Sequence, residues 1–570
     1  MLFQGSCEVD EAVFEPTVGV LDNNDGKNHA QEIICELSEP VCGCSSTTQG
    51  EALLMVLALS FRHNLSYVAM VDTLGLINNV LQKEVIPANI YHVLKNVELE
   101  KTNNLYHIVC SLCGIYLQAL TEENLNSTIT CECGCVIYKA KNAANFFITL
   151  GMKEQLKKLL EKDGIADELK YRFNRKKVYE EALEDVYDGD LYKNLSSPDK
   201  PLSKEENISY SFNTDGVPFG DSSHQQMWPI YMMVNELRPK LRVKNMLLVG
   251  IWVGKSEPDM NVVLQPFVNE ANELSGNGFS WKHPVNGETH SVAIPLCCVV
   301  DSQARWKLLN HKSPAGFFGC TFCEIRGEYV RGCGVRFGME EDVPVLRTNE
   351  GMKKLMVEVH ERSHLSEKKR PLKGCKRVSP LINLDYFDLA LGCVPDFMHM
   401  TKGIVEQHID CILSKLNNEE INKISENMMN IMTPSAVSRT PRALKDREKF
   451  TASELWNFLV LYGPVAMMNV VPNKYIVHFA MLSCAIHILL QKSVTLNQIR
   501  YCEELIASQK PLLPWVQKCF VCSSVSPSVR PSVRQSVPPS VSPSVRLFPL
   551  LLLNGSADRS EILWGHGICQ

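Results

Sequence analysis

The chain has 570 residues, 45% of them hydrophobic, with a formal net charge of −6. It can bury sizeable cores, and it does not advertise a nucleic-acid partner by charge alone, since such contact depends on local basic patches. Met1–Val20 has no secretory pattern and no run reaches the 18 or so apolar residues of a membrane helix, so the 22 cysteines read as core thiols or metal ligands in a nuclear or cytoplasmic protein.

Residues 1–50 are acidic, polar and irregular and are expected to be disordered. Residues 51–100 switch to helical periodicity, with Leu53, Leu54, Leu57, Val68, Met70, Leu74 and Leu76 between short polar breaks, and predict a small helical unit. Residues 101–142 hold Cys110-x-x-Cys113 and then Cys131-Glu-Cys133-Gly-Cys135. Two turns that each supply two thiolates make a zinc-ribbon-like module, with Cys110, Cys113, Cys131 and Cys133 as the Zn²⁺ ligands. Five thiols compete for four places, and Cys135 could replace Cys131 or Cys133. Residues 143–206 read as a helical linker, with two amphipathic helices over about 143–188.

Residues 207–323 can be read element by element. Ile208–Thr214 is a short alternating strand that ends at Asp215-Gly216, and Trp228–Leu237 and Met246–Val253 are strand-like apolar runs. From Asp259 the spacing becomes helical, with Met260, Val263, Leu264, Phe267, Val268, Ala271 and Leu274 on one face and Pro266 inside the pattern. Val292–Val300 reads as a buried strand closed by Asp301. The order strand, strand, strand, helix, strand is that of a ribonuclease-H-like mixed sheet, in which the first and fourth strands lie side by side. Asp215 and Asp301 at their ends would then meet and could hold a pair of Mg²⁺ or Mn²⁺ ions. An Asp-Gly after a strand, taken alone, is an ordinary turn. Cys320-x-x-Cys323 follows in GFFGCTFCEIRG, either as half of a second zinc site or as buried free thiols.

Residues 324–510 are mostly helical in pattern. Within them, KKRPLKGCKR offers Lys368, Lys369, Arg370, Lys373, Lys376 and Arg377 as phosphate contacts or a nuclear localisation signal, against a solvated loop as the plain alternative. Pro395-Asp396-Phe397-Met398-His399 places an acid and an imidazole close together; the plain reading is a helix N-cap at Asp396 with His399 in the first turn. Residues 511–570 contain the Ser-Val repeat of Ser524–Arg546, a low-complexity tail expected to be disordered.

Several blocks resemble the CACTA (En/Spm-like) transposases: SFNTDGVPFGDSSHQQMWPIYMMVNEL through VGIWVGKSEPDMNVVLQPFVNE, CVVDSQARWKLLNHKSPAGFFGCTFCEIRG, PDFMHMTKGIVEQHID and LYGPVAMMNVVPNKYIVHFAMLSCAIHILL. The resemblance implies a ribonuclease-H-like domain interrupted by a large helical insertion, residues 324–510, in a DDE-type enzyme that excises and transfers transposon DNA by two-metal phosphoryl transfer. Asp215 and Asp301 take the places of its first two acids, and Cys320 and Cys323 its zinc half-site. It also implies a histidine pair and a third acid, a glutamate, beyond Leu490; the Ser-Val tail replaces that region, so the expected state is a catalytically incomplete, transposase-derived nuclear protein. Its partner would be DNA, without a membrane, and a homo-oligomer is allowed. Two rivals follow: an active nuclease that recruits Glu406 or Asp396 as its third acid, and a domesticated, non-enzymatic DNA- or chromatin-binding module.

Overall fold

The computed structural model describes residues 37–63, 65–89, 104–140, 145–219, 225–254, 257–331, 334–337, 344–365, 371–433 and 439–507. Most of the acidic N-terminal stretch, the Ser-Val tail, and Lys368, Lys369 and Arg370 lie outside the described residues. The chain divides into two compact units, Met1–Lys101 and Thr102–Gln570. Among the described residues, no helix is long and apolar enough to cross a membrane.

The first unit is a pair of helices, α1 (Gln49–His63) and α2 (Tyr67–Leu81). Ser66 caps α2 by accepting the Ala69 N–H, and Gln82 ends it with a left-handed φ of 51°. Leu53, Val56, Met70 and Leu74 close a small core with Val85 and Ile86. Leu54, Val68 and Leu76, which share the apolar pattern, stay exposed.

The second unit is α/β, built on a nine-stranded mixed sheet. Its strands are β1 (Leu105–Val109), β2 (Tyr116–Leu120), β5 (Asn145–Thr149), β6 (Ile208–Thr214), β7 (Val217–Phe219), β8 (Gln225–Val234), β9 (Leu247–Gly254), β12 (Ala293–Val300) and β15 (Cys393–Pro395). Three two-stranded hairpins stand apart: β3 (Ile129–Thr130) with β4 (Val136–Ile137), β10 (Phe279–His283) with β11 (Gly287–Ser291), and β13 (Glu328–Val330) with β14 (Gly334–Arg336). The sheet order is β15-β12-β6-β8-β9-β5-β1-β2, with β7 beside β8. From β6 to β2 every neighbour is antiparallel, while β12 runs parallel to β6 and β15 parallel to β12.

Strand period two sorts side chains to the two faces. On one face, Tyr210 and Phe212 of β6, Cys298 of β12 and Cys393 of β15 join the core that α4 (Met260–Gly276) covers. The seven apolar positions spaced for that helix are all buried, and the Phe212 and Phe267 rings sit 4.8 Å apart. Asp259 caps α4, and Pro266 lies within it. On the other face, Cys297 and Val394 join a second core. It holds α7 (Phe397–Leu413), α8 (Asn418–Met429), α9 (Asn473–Leu489) and α10 (Leu496–Ala507). The short helix α5 (Ser302–Leu308) and the longer α6 (Asn349–Leu365) come before these, and α3 (Met152–Leu160) follows β5.

Ser209 and Ser211 put hydroxyls on the buried polar side of β6, where Glu236 and Asn235 accept from them at 2.8 Å. Glu236 is fully buried and paired with Arg172 at 3.0 Å, and Arg242 is buried against Asp185 at 2.7 Å. Removing one partner of such a pair would strand a buried charge, at a cost of about 3–5 kcal/mol.

The fold departs from the sequence reading in three places. Asn145–Thr149, read as the start of a helix, is strand β5, because its aromatic and β-branched residues pair with both β1 and β9. A hairpin, β10–β11, precedes β12. β15 adds a parallel strand from within a stretch read as helical.

Candidate functional site

The carboxyl ends of β6, β12 and β15 bring three aspartates level. Phe212 pairs with Cys298, so Asp215 and Asp301, each three residues on, stand side by side. Val300 pairs with Pro395, so Asp301 and Asp396, each one residue on, do the same. The Asp396 N–H donates to the Val300 carbonyl at 2.8 Å, and Asn213 Nδ2 donates to the Val299 carbonyl at 2.5 Å. These bonds fix the three strand ends against one another.

Each carboxylate has one oxygen tied to the main chain. Asp215 Oδ1 accepts from the Gly216 N–H at 2.7 Å. Asp301 caps α5, accepting from the Ala304 N–H at 2.6 Å. Asp396 caps α7, and its Oδ2 takes both the His399 N–H at 2.9 Å and His399 Nδ1 at 2.6 Å. The cap expected at Asp396 is therefore present, and the same residue also closes a sheet strand. Glu406, the other rival for a third acid, is on α7 and lies 3.9 Å from Lys402.

The electrostatics link the four groups. Burial first, and then the charge of Asp301, raise the Asp215 carboxyl above the usual carboxylate range; Asp396 adds to this, while the Gly216 N–H and His399 oppose it. The bond to Asp396 raises the His399 imidazole above its ordinary value, with help from the charges of Asp396, Asp215 and Asp301. Gly216 lets the chain pass close under Trp228: a Cβ there would fall 2.5 Å from the indole Cζ2. An open hollow beside Asp215 is lined by Trp228, Gln226, Gln303 and Glu257. Lys307 bonds Glu257 at 2.6 Å and lies over the Trp228 ring.

At the far side of the sheet, two tight turns face each other. In the first, the Cys110 N–H donates to the Ile115 carbonyl and the Gly114 N–H to the Cys110 carbonyl, with Gly114 at φ +72°. In the second, the Cys131 N–H donates to the Cys135 carbonyl and the Gly134 N–H to the Cys131 carbonyl, with Gly134 at φ +87°. The thiols of Cys110, Cys113, Cys131 and Cys133 all lie within 4.8 Å of one another and could hold a metal such as zinc. Cys110–Cys133 and Cys113–Cys131 are each 3.5 Å apart. Four thiolates at 2.3 Å from a tetrahedral ion would stand about 3.8 Å apart, so the donor set fits Zn²⁺. The Cys113 main-chain N–H is the leading cause that lowers the Cys110 thiol to about 6. Cys135 falls outside the group.

Cys320 and Cys323 are buried, and the Arg347 guanidinium donates to both of their carbonyls at 3.1 Å and to that of Lys373 at 2.8 Å. Among the described residues, only the Cys110–Cys133 cluster gathers three or more ligand atoms around one point. The described part of the basic segment is engaged with the protein itself. Arg377 bonds both oxygens of Asp259, Lys373 pairs with Glu324 at 2.5 Å, and Lys376 lies over the Trp306 ring.

Residues 180–368 match the transposase family tnp2. The matched stretch covers about a third of the chain, includes Asp215 and Asp301, and stops short of Asp396. It supports a transposase-derived protein. No curated protein matches the chain.

Proposed function

We propose that the chain is a transposase-derived nuclear protein of the DDE type that acts on DNA, with Asp215 and Asp301 as metal-binding carboxylates on a ribonuclease-H-like sheet. The observation that carries this reading is the pairing of Phe212 with Cys298, which sets the two acids side by side within the matched stretch. The order of the five strands β15-β12-β6-β8-β9, with three antiparallel and two parallel members, supports the ribonuclease-H-like assignment. The CACTA subtype rests on the sequence blocks.

The donor chemistry fits Mg²⁺ or Mn²⁺. Carboxylate oxygens are hard ligands, and burial and then the Asp301 charge raise the Asp215 carboxyl, a penalty on its ionised form that a dication would relieve. When bound, such ions lower the pKa of an attacking water or 3′-hydroxyl and steady the leaving oxygen of a phosphodiester. The chain's own part is to hold the acids still. The Asp301 cap and the Gly216 N–H fix the carboxylates, and Asn213 locks β6 to β12.

The expectation of an incomplete site rests on the glutamate and the histidine pair that the resemblance places beyond Leu490. At the strand ends, Asp396 stands as a third carboxylate beside Asp215 and Asp301. A module that only binds DNA has less support, because the described cations of the basic segment already have protein partners.

The test is nicking of supercoiled plasmid by the full chain in Mn²⁺. Metal-dependent nicking is expected, and Asp301→Asn, which removes a metal-binding carboxylate, should abolish it. A chain that binds the plasmid but never cuts it would replace this reading with the non-enzymatic one.

A further inference from the structure

We propose that Asp396 is a third metal-binding carboxylate of the site formed by Asp215 and Asp301, with His399 as the positioning residue that fixes its orientation. This rests on the two-metal reading of Asp215 and Asp301. Asp396 lies outside the stretch that matches the transposase family, so its place beside Asp301 comes from the fold and not from the match.

Neighbouring strands lie about 4.8 Å apart, so three level strand ends span roughly 10 Å. One ion with oxygen ligands at about 2.1 Å cannot reach across that width, and the three aspartates do not converge on one point. Two ions about 3.5–4 Å apart can. Asp301, on the middle strand, would then lie between the ions, with Asp215 and Asp396 on the outer sides. Asp215, Asp301 and Asp396 each commit one oxygen to a main-chain N–H. Among the described residues their other oxygens make no hydrogen bond. The His399 ring adds a second bond to the committed oxygen of Asp396 and so stops that carboxylate from turning.

The experiment is a titration of the zinc-replete full chain with Mn²⁺, counting bound ions by the loss of the free-ion electron paramagnetic resonance signal. The chain should take up about two ions. Asp396→Asn should take up about one, and Asp301→Asn should bind neither tightly. Asparagine caps a helix as well as aspartate does, so α7 keeps its start; Asp396→Ser keeps the cap as well and repeats the test. His399→Ala leaves the main-chain N–H of the cap in place and should loosen one ion several-fold without changing the melting temperature. Glu406→Gln should bind as the parent does. If Asp396→Asn and Asp396→Ser bind two ions with parental affinity while Asp301→Asn does not, the proposal is overturned and the two-acid reading stands. If the parent binds no Mn²⁺, both are overturned.

Discussion

The two candidate metal sites stand at opposite ends of one sheet and are built in opposite ways. The four thiols come from two turns between Cys110 and Cys133, so local hydrogen bonds are enough to bring them together. The three carboxylates come from Asp215, Asp301 and Asp396, and only the pairing of β6, β12 and β15 makes them neighbours. The first site is soft and suits Zn²⁺, while the second is hard and suits Mg²⁺ or Mn²⁺. The thiol site converges on one point, and the three carboxylates form a row across the carboxyl ends of three neighbouring strands. The ion should therefore hold the fold together at the thiols, whereas the fold holds the ligands together at the carboxylates.

The strongest way to break this contrast is to remove the thiol metal. About one zinc per chain is expected by elemental analysis, and for such thiolate sites roughly 10 kcal/mol or more of metal binding is also folding free energy. Chelation, or Cys110→Ser, should therefore strip hydrogen-exchange protection from Leu105–Val109 and Tyr116–Leu120 while leaving that of Ile208–Thr214. Protected β1 amides in a metal-free chain would end the contrast.

A smaller effect is expected at the carboxylates. The folded Asp215 carboxyl titrates above its unfolded value, so the folded state holds that proton more strongly. Stability then falls as pH rises from about 4, the unfolded value, through the raised folded value, and stays lower above it. Asp215→Asn should melt higher than the parent at pH 7 without added metal, with the gain vanishing below about pH 4 and shrinking in Mg²⁺. Equal melting curves at pH 7 would show that neither burial nor the Asp301 charge penalises the ionised Asp215 carboxyl.

The smallest effect concerns the basic segment. Arg377→Ala should lose the bonds to Asp259 and cost up to about 1 kcal/mol of stability, as partly exposed pairs do. It should change the slope of log affinity against log salt for DNA by less than one counterion. A drop of a full unit in the slope would return Arg377 to the DNA interface.

How much could be read from the sequence follows the same division. Ile208–Thr214, the α4 stripe and the strand before Asp301 have strong local periodicity, and the structure places them where the spacing does. The cysteine turns are equally legible, since Cys110-x-x-Cys113 and Cys131-Glu-Cys133-Gly-Cys135 carry metal-ligand spacing within one short segment. β15 was not: three residues, Cys393–Pro395, carry no period, and only partners some ninety residues earlier make them a strand. Within its own segment Asp396 shows only the helix cap, which is present, and its candidacy as a third acid comes from the resemblance. Its second position, level with Asp301, is a matter of register, which no spacing within the segment records. β5 was missed because Asn145–Thr149 runs on into the helical pattern of Met152–Leu160.

The place of β5 has a further consequence, in the solution behaviour of the chain. β1 and β2 lie outside β5 in the sheet, and the four thiols sit in the turns that follow β1 and β3. If losing the ion frees that hairpin, Asn145–Thr149 becomes the new margin of the sheet, with an unpaired row of main-chain groups and the two aromatics Phe146 and Phe147 on a segment without a charge. An uncharged, apolar strand edge is a template for another chain. Metal depletion of this protein should then show first as self-association, with light scattering rising before the main unfolding transition.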